Sequence, residues 1–176
     1  MILLVIDVQK ALVVDELHEC KSFLNKVKKL INVARKNSVE VIFVQHDAGK
    51  GSGFSFGDEG FEIVEEVKPV EGEKIFVKTI NTCFGNKDFS EYLKQRNDKE
   101  LMVVGLQTDF CIDATIKSAF ERGYKVYVPQ GTNSTFDNDY MEAKKAIKYF
   151  NKWIWNGTFA ECISMSKALE MLESSK

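Results

Sequence analysis

A cysteine at the start of an expected helix is the residue of this 176-residue chain best suited to chemistry. An apolar run ends at Gly105, the polar turn 106–110 follows, and Cys111 then opens the helix. A thiol at a helix N-terminus meets free backbone N–H groups and the positive end of the helix dipole, and both favour the thiolate. The segment therefore indicates a nucleophile with a lowered thiol pKa, although a cysteine taken alone is more often a buried structural thiol.

Two charged residues stand where they could serve that thiol. Asp7 directly follows the apolar run Ile2–Ile6, and Lys78 ends the short run 74–78. If both lie near Cys111, the ammonium lowers the thiol pKa and the carboxylate shuttles the proton. The alternatives are that Asp7 caps a turn and that Lys78 is a solvated strand end.

Alternating strand and helix patterns must position these residues. Apolar runs predict strands at 2–6, 39–45, 74–78, 100–105, 124–128 and 159–163, and helical periodicity predicts helices at 16–36, 88–96, 111–122, 139–150 and 164–172. This order predicts an α/β, three-layer, Rossmann-like domain with a mainly parallel sheet of about six strands. Ligands of such sheets bind beyond the carboxyl ends of the strands, where Asp7, His46, Lys78 and the turn 107–111 fall.

Composition limits the classes of function. Hydrophobic residues make up 44%, charged residues 28%, and the net charge is −2. These values are typical of one globular domain, expected over 1–176, and give no reason to expect a nucleic-acid or membrane partner. The apolar N-terminus runs into Asp7 and lacks the basic flank and cleavage site of a signal peptide. Four scattered cysteines without a C-x-x-C pair predict reduced thiols in a cytoplasmic protein rather than a disulfide framework or a zinc site.

Three motifs together resemble the isochorismatase-like cysteine hydrolases, a superfamily that includes nicotinamidases. They are Ile-Asp-Val-Gln around Asp7, Val-Lys-Thr-Ile-Asn-Thr-Cys-Phe around Lys78, and Gly-Leu-Gln-Thr-Asp-Phe-Cys ending at Cys111. The resemblance extends over nearly the whole chain, including Gln45-His46-Asp47 and Trp155-Asn156-Gly157. The three motifs in this order are a specific signal, although each would be weak alone.

The resemblance implies an Asp7–Lys78–Cys111 triad that hydrolyses a C–N bond of a small amide or carbamoyl compound through a thioester. It also implies a non-proline cis peptide bond at Leu106–Gln107, with the backbone N–H groups of Gln107 and Cys111 directed at the developing oxyanion. Phe84 and His46 are weaker candidates for the substrate pocket. The family often forms homo-oligomers, so a dimer or larger assembly is expected.

Departures from the family pattern narrow the expected activity. Nicotinamidases carry a metal site built from Asp-x-His and a further histidine, but here the order is His46-Asp47 and no histidine lies between Asp47 and Lys78. The resemblance therefore predicts no metal and no other cofactor. Isochorismatases proper lack the nucleophilic cysteine, so Cys111 argues against vinyl-ether hydrolysis.

Two readings other than an amidohydrolase stay open on the sequence. The first is a catalytically silent or redox-sensing thiol domain on the same fold. The second is a Rossmann-like nucleotide binder, which is disfavoured because no glycine-rich fingerprint follows the first strand, where Asp7-Val-Gln-Lys-Ala stands instead.

Overall fold

The computed structural model describes residues 1–175, and its centre is a seven-stranded, parallel sheet. The order along the sheet is β3-β2-β1-β4-β5-β7, and β6 pairs with the end of β4. The strands are β1 (Ile2–Ile6), β2 (Glu40–His46), β3 (Lys74–Lys78), β4 (Glu100–Leu106), β5 (Lys125–Pro129), β6 (Asn133–Ser134) and β7 (Glu161–Ile163). The predicted α/β class and the largely parallel sheet are confirmed.

Helices cover both faces of this sheet. They are α1 (Cys20–Lys36), α2 (Lys87–Gln95), α3 (Asp113–Glu121), α4 (Ala143–Tyr149) and α5 (Met165–Ser174). Residues of α1 and α5 join one hydrophobic core, and residues of α2 and α3 join the other. None of the helices within 1–175 is long and apolar enough to cross a membrane.

The central strand shows why the sheet forms in this order. All five residues of β1 are apolar and at most 1% exposed, and the strand pairs with β2 on one side and β4 on the other. A strand that is apolar on both faces must be covered on both faces, which only the middle of a three-layer domain provides. Burial of β1 at the centre therefore places β2 and β4, which carry site residues, on either side of it.

The structure differs from the predicted elements at several boundaries. Asn133–Ser134 forms β6, a strand too short and polar to leave a periodic signal. Helix α1 begins at Cys20 because Glu19 adopts a left-handed φ of 50°. Helix α4 begins at Ala143 rather than 139, since Asn138 Oδ1 accepts the backbone N–H groups of Tyr140 and Met141 and holds this segment in a turn.

Candidate active site

Asp7, Lys78 and Cys111 meet in a buried cluster at the carboxyl edge of the sheet. The Lys78 ammonium donates to Asp7 Oδ2 at 2.7 Å and to Cys111 Sγ at 3.1 Å. The exposed fraction of the whole residue is 0% for Asp7, 2% for Lys78 and 8% for Cys111. The structure thus brings together all three residues that the sequence placed at strand ends.

Strand register accounts for this meeting. Ile6 pairs with Val44 and with Gly105, and His46 pairs with Lys78, so the ends of β1, β2, β3 and β4 lie nearly level. Gly105 allows β4 to approach β1 closely, since a Cβ at Gly105 would lie 2.0 Å from the backbone oxygen of Ile6. The side chains that follow these strands therefore converge on one point.

The Lys78 ammonium uses its three N–H donors on three different acceptors. Besides Asp7 and Cys111, its Nζ lies 3.0 Å from His46 Nδ1. Burial alone would lower the pKa of Lys78, but the adjacent negative charges, chiefly Asp7, outweigh burial and raise that pKa above its ordinary value. Lys78 is therefore a permanent cation at the centre of the cluster.

Asp7 combines one bound and one free carboxylate oxygen. Oδ2 accepts from Lys78, while Oδ1 is buried and has no hydrogen-bond partner among the described residues. Burial raises the pKa of Asp7 from 3.8 to about 6, with Lys78 holding it from rising further. Because a carboxylate oxygen of Asp7 and Cys111 Sγ lie within 4.8 Å, the site contains a base that is largely ionised at neutral pH and has room for a proton.

The Cys111 thiol is not the preformed thiolate that its position in the sequence predicts. Burial, and after it the negative charge of Asp7, raise the pKa of Cys111 to about 12, although Lys78 acts in the opposite direction. The turn Thr108–Ile112 that carries the thiol is a π-helical turn leading into α3. The prediction of a lowered pKa in the substrate-free site was wrong, because a helix terminus and one cation do not outweigh burial beside a carboxylate.

His46 contacts both the cluster, through its Nδ1, and the long loop after β2, where the centre of the Phe54 ring lies 5.7 Å from that of the His46 ring. Since Lys78 is a donor only, His46 Nδ1 accepts, and the ring is a neutral imidazole with its proton on Nε2. Burial and the Lys78 charge lower the pKa of His46, which agrees with this state. The backbone of His46 is bonded in both directions by the buried Gln9 side chain, which fixes the end of β2.

A metal ion does not fit at the centre of this cluster. Asp7, His46 and Cys111 offer ligand atoms within 4.8 Å of one another, which is the spacing of a metal site. The Lys78 nitrogen, however, lies 2.7 to 3.1 Å from those residues and thus occupies the point that an ion bound to all three would need. A second cation there would meet the full repulsion of a buried ammonium.

The remaining predicted site residues are Leu106 and Gln107, just before the turn that contains Cys111, and Phe84. The Leu106–Gln107 peptide bond, which leads into the turn carrying Cys111, is cis; Leu106 is buried and Gln107 is half-buried. Phe84 is 8% exposed, and its ring packs edge-on against Phe89 and lies 4.8 Å from the Arg122 guanidinium. Phe84 therefore belongs to the hydrophobic core beside the site.

One contact of the cluster was missed in the sequence. Asn81 Oδ1 lies 3.8 Å from Cys111 Sγ, at the limit of a sulfur hydrogen bond. Asn81 stands three residues after Lys78 within the motif that the family resemblance singled out, and this position was its only signal. Beneath the site, Cys83 is fully buried beside the Thr115 hydroxyl, and burial raises its thiol pKa to about 12.

Comparison with known proteins identifies the family. The isochorismatase domain model matches residues 1–165. The chain belongs to the isochorismatase family. An uncharacterized isochorismatase family protein of Bacillus subtilis is 37% identical over 109 residues, which are 61% of this chain and 61% of that protein. Nicotinamidase 3 of Arabidopsis thaliana is 29% identical over 137 residues, or 70% of this chain and 69% of that enzyme.

Solved structures agree with this assignment. The crystal structure of an isochorismatase family protein superposes with a TM-score of 0.84 at 29% identity and covers 93% of this chain and 97% of that one. The fold and the order of its elements are therefore those of the family. The chain spans 61% of the length of the Bacillus subtilis relative.

Proposed function

We propose that this isochorismatase-family protein is a cysteine hydrolase that cleaves the C–N bond of a small amide or carbamoyl compound through a thioester. The observation that carries the proposal is the contact of one buried ammonium, Lys78, with both Asp7 and Cys111. The similarity to a nicotinamidase, whose name denotes amide hydrolysis, supports the class of bond.

The reaction begins with attack of Cys111 Sγ on the carbonyl carbon. As the S–C bond forms, the thiol proton moves to the free Oδ1 of Asp7. Asp7 then donates that proton to the leaving nitrogen as the C–N bond breaks, which leaves an acyl-Cys111 thioester and a free amine or ammonia. Water, deprotonated by Asp7, attacks the thioester, and the acid leaves as the proton returns to the sulfur.

The thiol pKa decides how the first proton moves. Because the pKa of Cys111 is raised to about 12 and that of Asp7 only to about 6, moving the proton from sulfur to carboxylate before attack would be costly if the two groups titrated separately. The actual cost is lower, because protonating Asp7 removes the negative charge that helps to raise the Cys111 pKa. A preformed thiolate is still a minor species, so Asp7 acts as a general base during attack rather than before it.

The developing oxyanion needs donors that are free in the resting site. We assign this role to the backbone N–H groups of Gln107 and Cys111, in the turn that follows β4. One such donor typically contributes about 3–4 kcal/mol in the transition state. The neutral His46 ring completes the set of acceptors around Lys78 and keeps the ammonium directed at Asp7 and Cys111.

The test is a screen of small amides, ureides and carbamoyl compounds scored by release of ammonia or amine. Cys111→Ala should abolish turnover and should no longer form the acyl-enzyme that mass spectrometry detects in acid-quenched wild type. Cys162→Ala is the matched control, because it removes a thiol outside the cluster. Turnover that survives in Cys111→Ala would overturn the mechanism.

A silent or redox-sensing thiol domain is the second candidate. Oxidation of cysteine by peroxide depends on thiolate character, and the high pKa of Cys111 disfavours it. If no compound of the screen is hydrolysed and peroxide oxidises Cys111 faster than Cys162, this second function replaces the first.

We also propose that residues 1–176 form a single domain and that this domain associates with a second copy of itself. The edge strand β3 leaves Ile75 and Val77 48% and 39% exposed on one face, while Phe76 between them packs against the core. Burial of that face by a second copy would stabilise a dimer. Sedimentation of the wild type and of Ile75→Lys tests this: a monomer in both cases would contradict it.

A further inference from the structure

A cleft that is separate from the catalytic cluster is lined by several lysines. It has a volume of about 650 Å³ and lies between the start of α1, the ends of β5 and β7, and helix α4. None of Asp7, Lys78 and Cys111 lines it. It is within the size range of small-molecule sites, and it opens at the carboxyl edge of the parallel sheet, where such folds bind ligands.

The cleft collects positive charge on one wall. Lys144 and Lys148 line it from α4 and lie one turn apart, and Lys152 lines it from the π-helical turn Phe150–Trp155 that continues α4; at the α-helical rise the three span about 12 Å at most. Lys26 does not line the cleft, but its ammonium lies beside Gly131, which does, at 2.3 Å from where a Cβ on Gly131 would stand. The cleft's lining includes a single carboxylate, that of Glu19.

These ammonium groups have no counter-charges of their own. Within residues 1–175, none of the four lysines forms a salt bridge within 4.0 Å, although other lysines of the chain do, for example Lys10 and Lys117. Like charges four residues apart on a helix repel each other and destabilise it slightly. An anion in the cleft would reduce that repulsion among Lys144, Lys148 and Lys152.

The floor of the cleft is ordered and polar. Asn133 and Asn151 exchange two side-chain hydrogen bonds, at 3.1 and 2.9 Å, and Thr108 donates to Asn133 at 2.8 Å. Asn151 lies between Lys148 and Lys152 in sequence and is tied back to α4 through the oxygen of Ile147. These bonds fix the backbone of the wall from which the lysine side chains extend.

We propose that this cleft binds an elongated polyanion, a small molecule with two or more phosphate or carboxylate groups spaced along it. The spread of the lysines over about 12 Å favours an extended ligand over a single compact ion, because one ion could contact only one or two of them. The site is separate from the proposed hydrolysis at Cys111 and does not depend on it.

The experiment is a titration of the full chain with linear inorganic tripolyphosphate at constant ionic strength, followed by calorimetry and by tryptophan fluorescence. Trp153 is 74% exposed and adjoins Lys152, so binding should change its emission, whereas Trp155 is fully buried. We expect saturable binding that weakens about five-fold in Lys148→Gln and more in Lys144→Gln/Lys148→Gln, since each loses a charge-assisted contact.

Lys145→Gln is the matched control. It removes one exposed lysine from the same helix at a position that does not line the cleft, so affinity should stay within error of wild type. A parallel titration with citrate distinguishes the anion: equal affinity assigns a general polyanion site, and weaker binding assigns a phosphate site. Heats that do not saturate, or equal weakening in Lys145→Gln and Lys148→Gln, would overturn the proposal.

Discussion

Replacing Asp7 by asparagine tests how the raised pKa of Asp7 makes the free energy of unfolding depend on pH. The pKa of Asp7 is raised by burial from 3.8 to about 6, so the folded protein binds this proton more tightly than the unfolded chain does. Protonated Asp7 therefore contributes to the free energy of unfolding, and this contribution is fully present below pH 3.8 and is lost as the pH rises through about 6. At about 1.4 kcal/mol per pKa unit, the loss is about 3 kcal/mol.

The measurement is the free energy of unfolding from denaturant curves at several pH values from about 4 to 7.5. Asp7→Asn keeps the size of the side chain but cannot titrate. The wild type minus Asp7→Asn difference should therefore fall by about 2–2.5 kcal/mol between the ends of this range, because a small part of the full loss already occurs below pH 4. Because His46 titrates in both proteins, its contribution largely cancels in the difference.

Cys162→Ser serves as the control, since it alters a thiol outside the cluster and keeps Asp7. Its unfolding free energy should follow that of wild type at every pH. A flat difference between wild type and Asp7→Asn would show that Asp7 is not raised in pKa. Asp7 would then be too weak a base to accept the thiol proton near neutral pH.

Three further perturbations follow from the same cluster. Lys78→Met should lower the free energy of unfolding at pH 8 by about 3–5 kcal/mol, because it leaves a buried carboxylate unpaired, and by less at pH 5, where Asp7 binds a proton. His46→Phe should lower kcat while leaving Cys111 in place, since one Lys78 N–H loses its acceptor at a cost of about 1–3 kcal/mol. Iodoacetamide should alkylate Cys111 in the substrate-free protein no faster than Cys162 at pH 7, because both thiols have a raised pKa.

Each of these has a clear contrary result. If Lys78→Met lowers the free energy of unfolding equally at pH 5 and pH 8, the stability of the cluster does not depend on pairing the Lys78 ammonium with an ionised Asp7. For the histidine, His46→Asn is the comparison, since an amide oxygen can still accept from Lys78, and it should retain more activity than His46→Phe. Alkylation of Cys111 well below pH 8.5, far ahead of Cys162, would mean that a thiolate is present before substrate binds.

The positions of the catalytic groups could be read from the sequence because they follow from strand ends. Asp7 and Lys78 stand at the ends of apolar runs, and parallel strands bring such ends to one edge. The ionisation of Cys111 could not be predicted in the same way. It depends on burial and on the distance from Asp7, both of which arise only when the layers pack.

Other features had no local signal at all. The acceptor role of His46 depends on the register of β2 against β3, which places it beside Lys78. The four-residue spacing of Lys144, Lys148 and Lys152 is visible in the sequence, but a solvated helix face would show the same spacing. Only the facing walls of the folded chain turn that pattern into a cleft.

The single ammonium shared by Asp7 and Cys111 has a consequence for the energetics of proton movement. When the proton passes from sulfur to carboxylate, the negative charge moves from one neighbour of Lys78 to another, and the net charge of the buried cluster stays the same. No ion enters or leaves the low-dielectric interior, so the transfer avoids the desolvation cost of creating a new charge there. The chemistry of this site should therefore respond weakly to ionic strength, in contrast to anion binding at the exposed lysines of the neighbouring cleft.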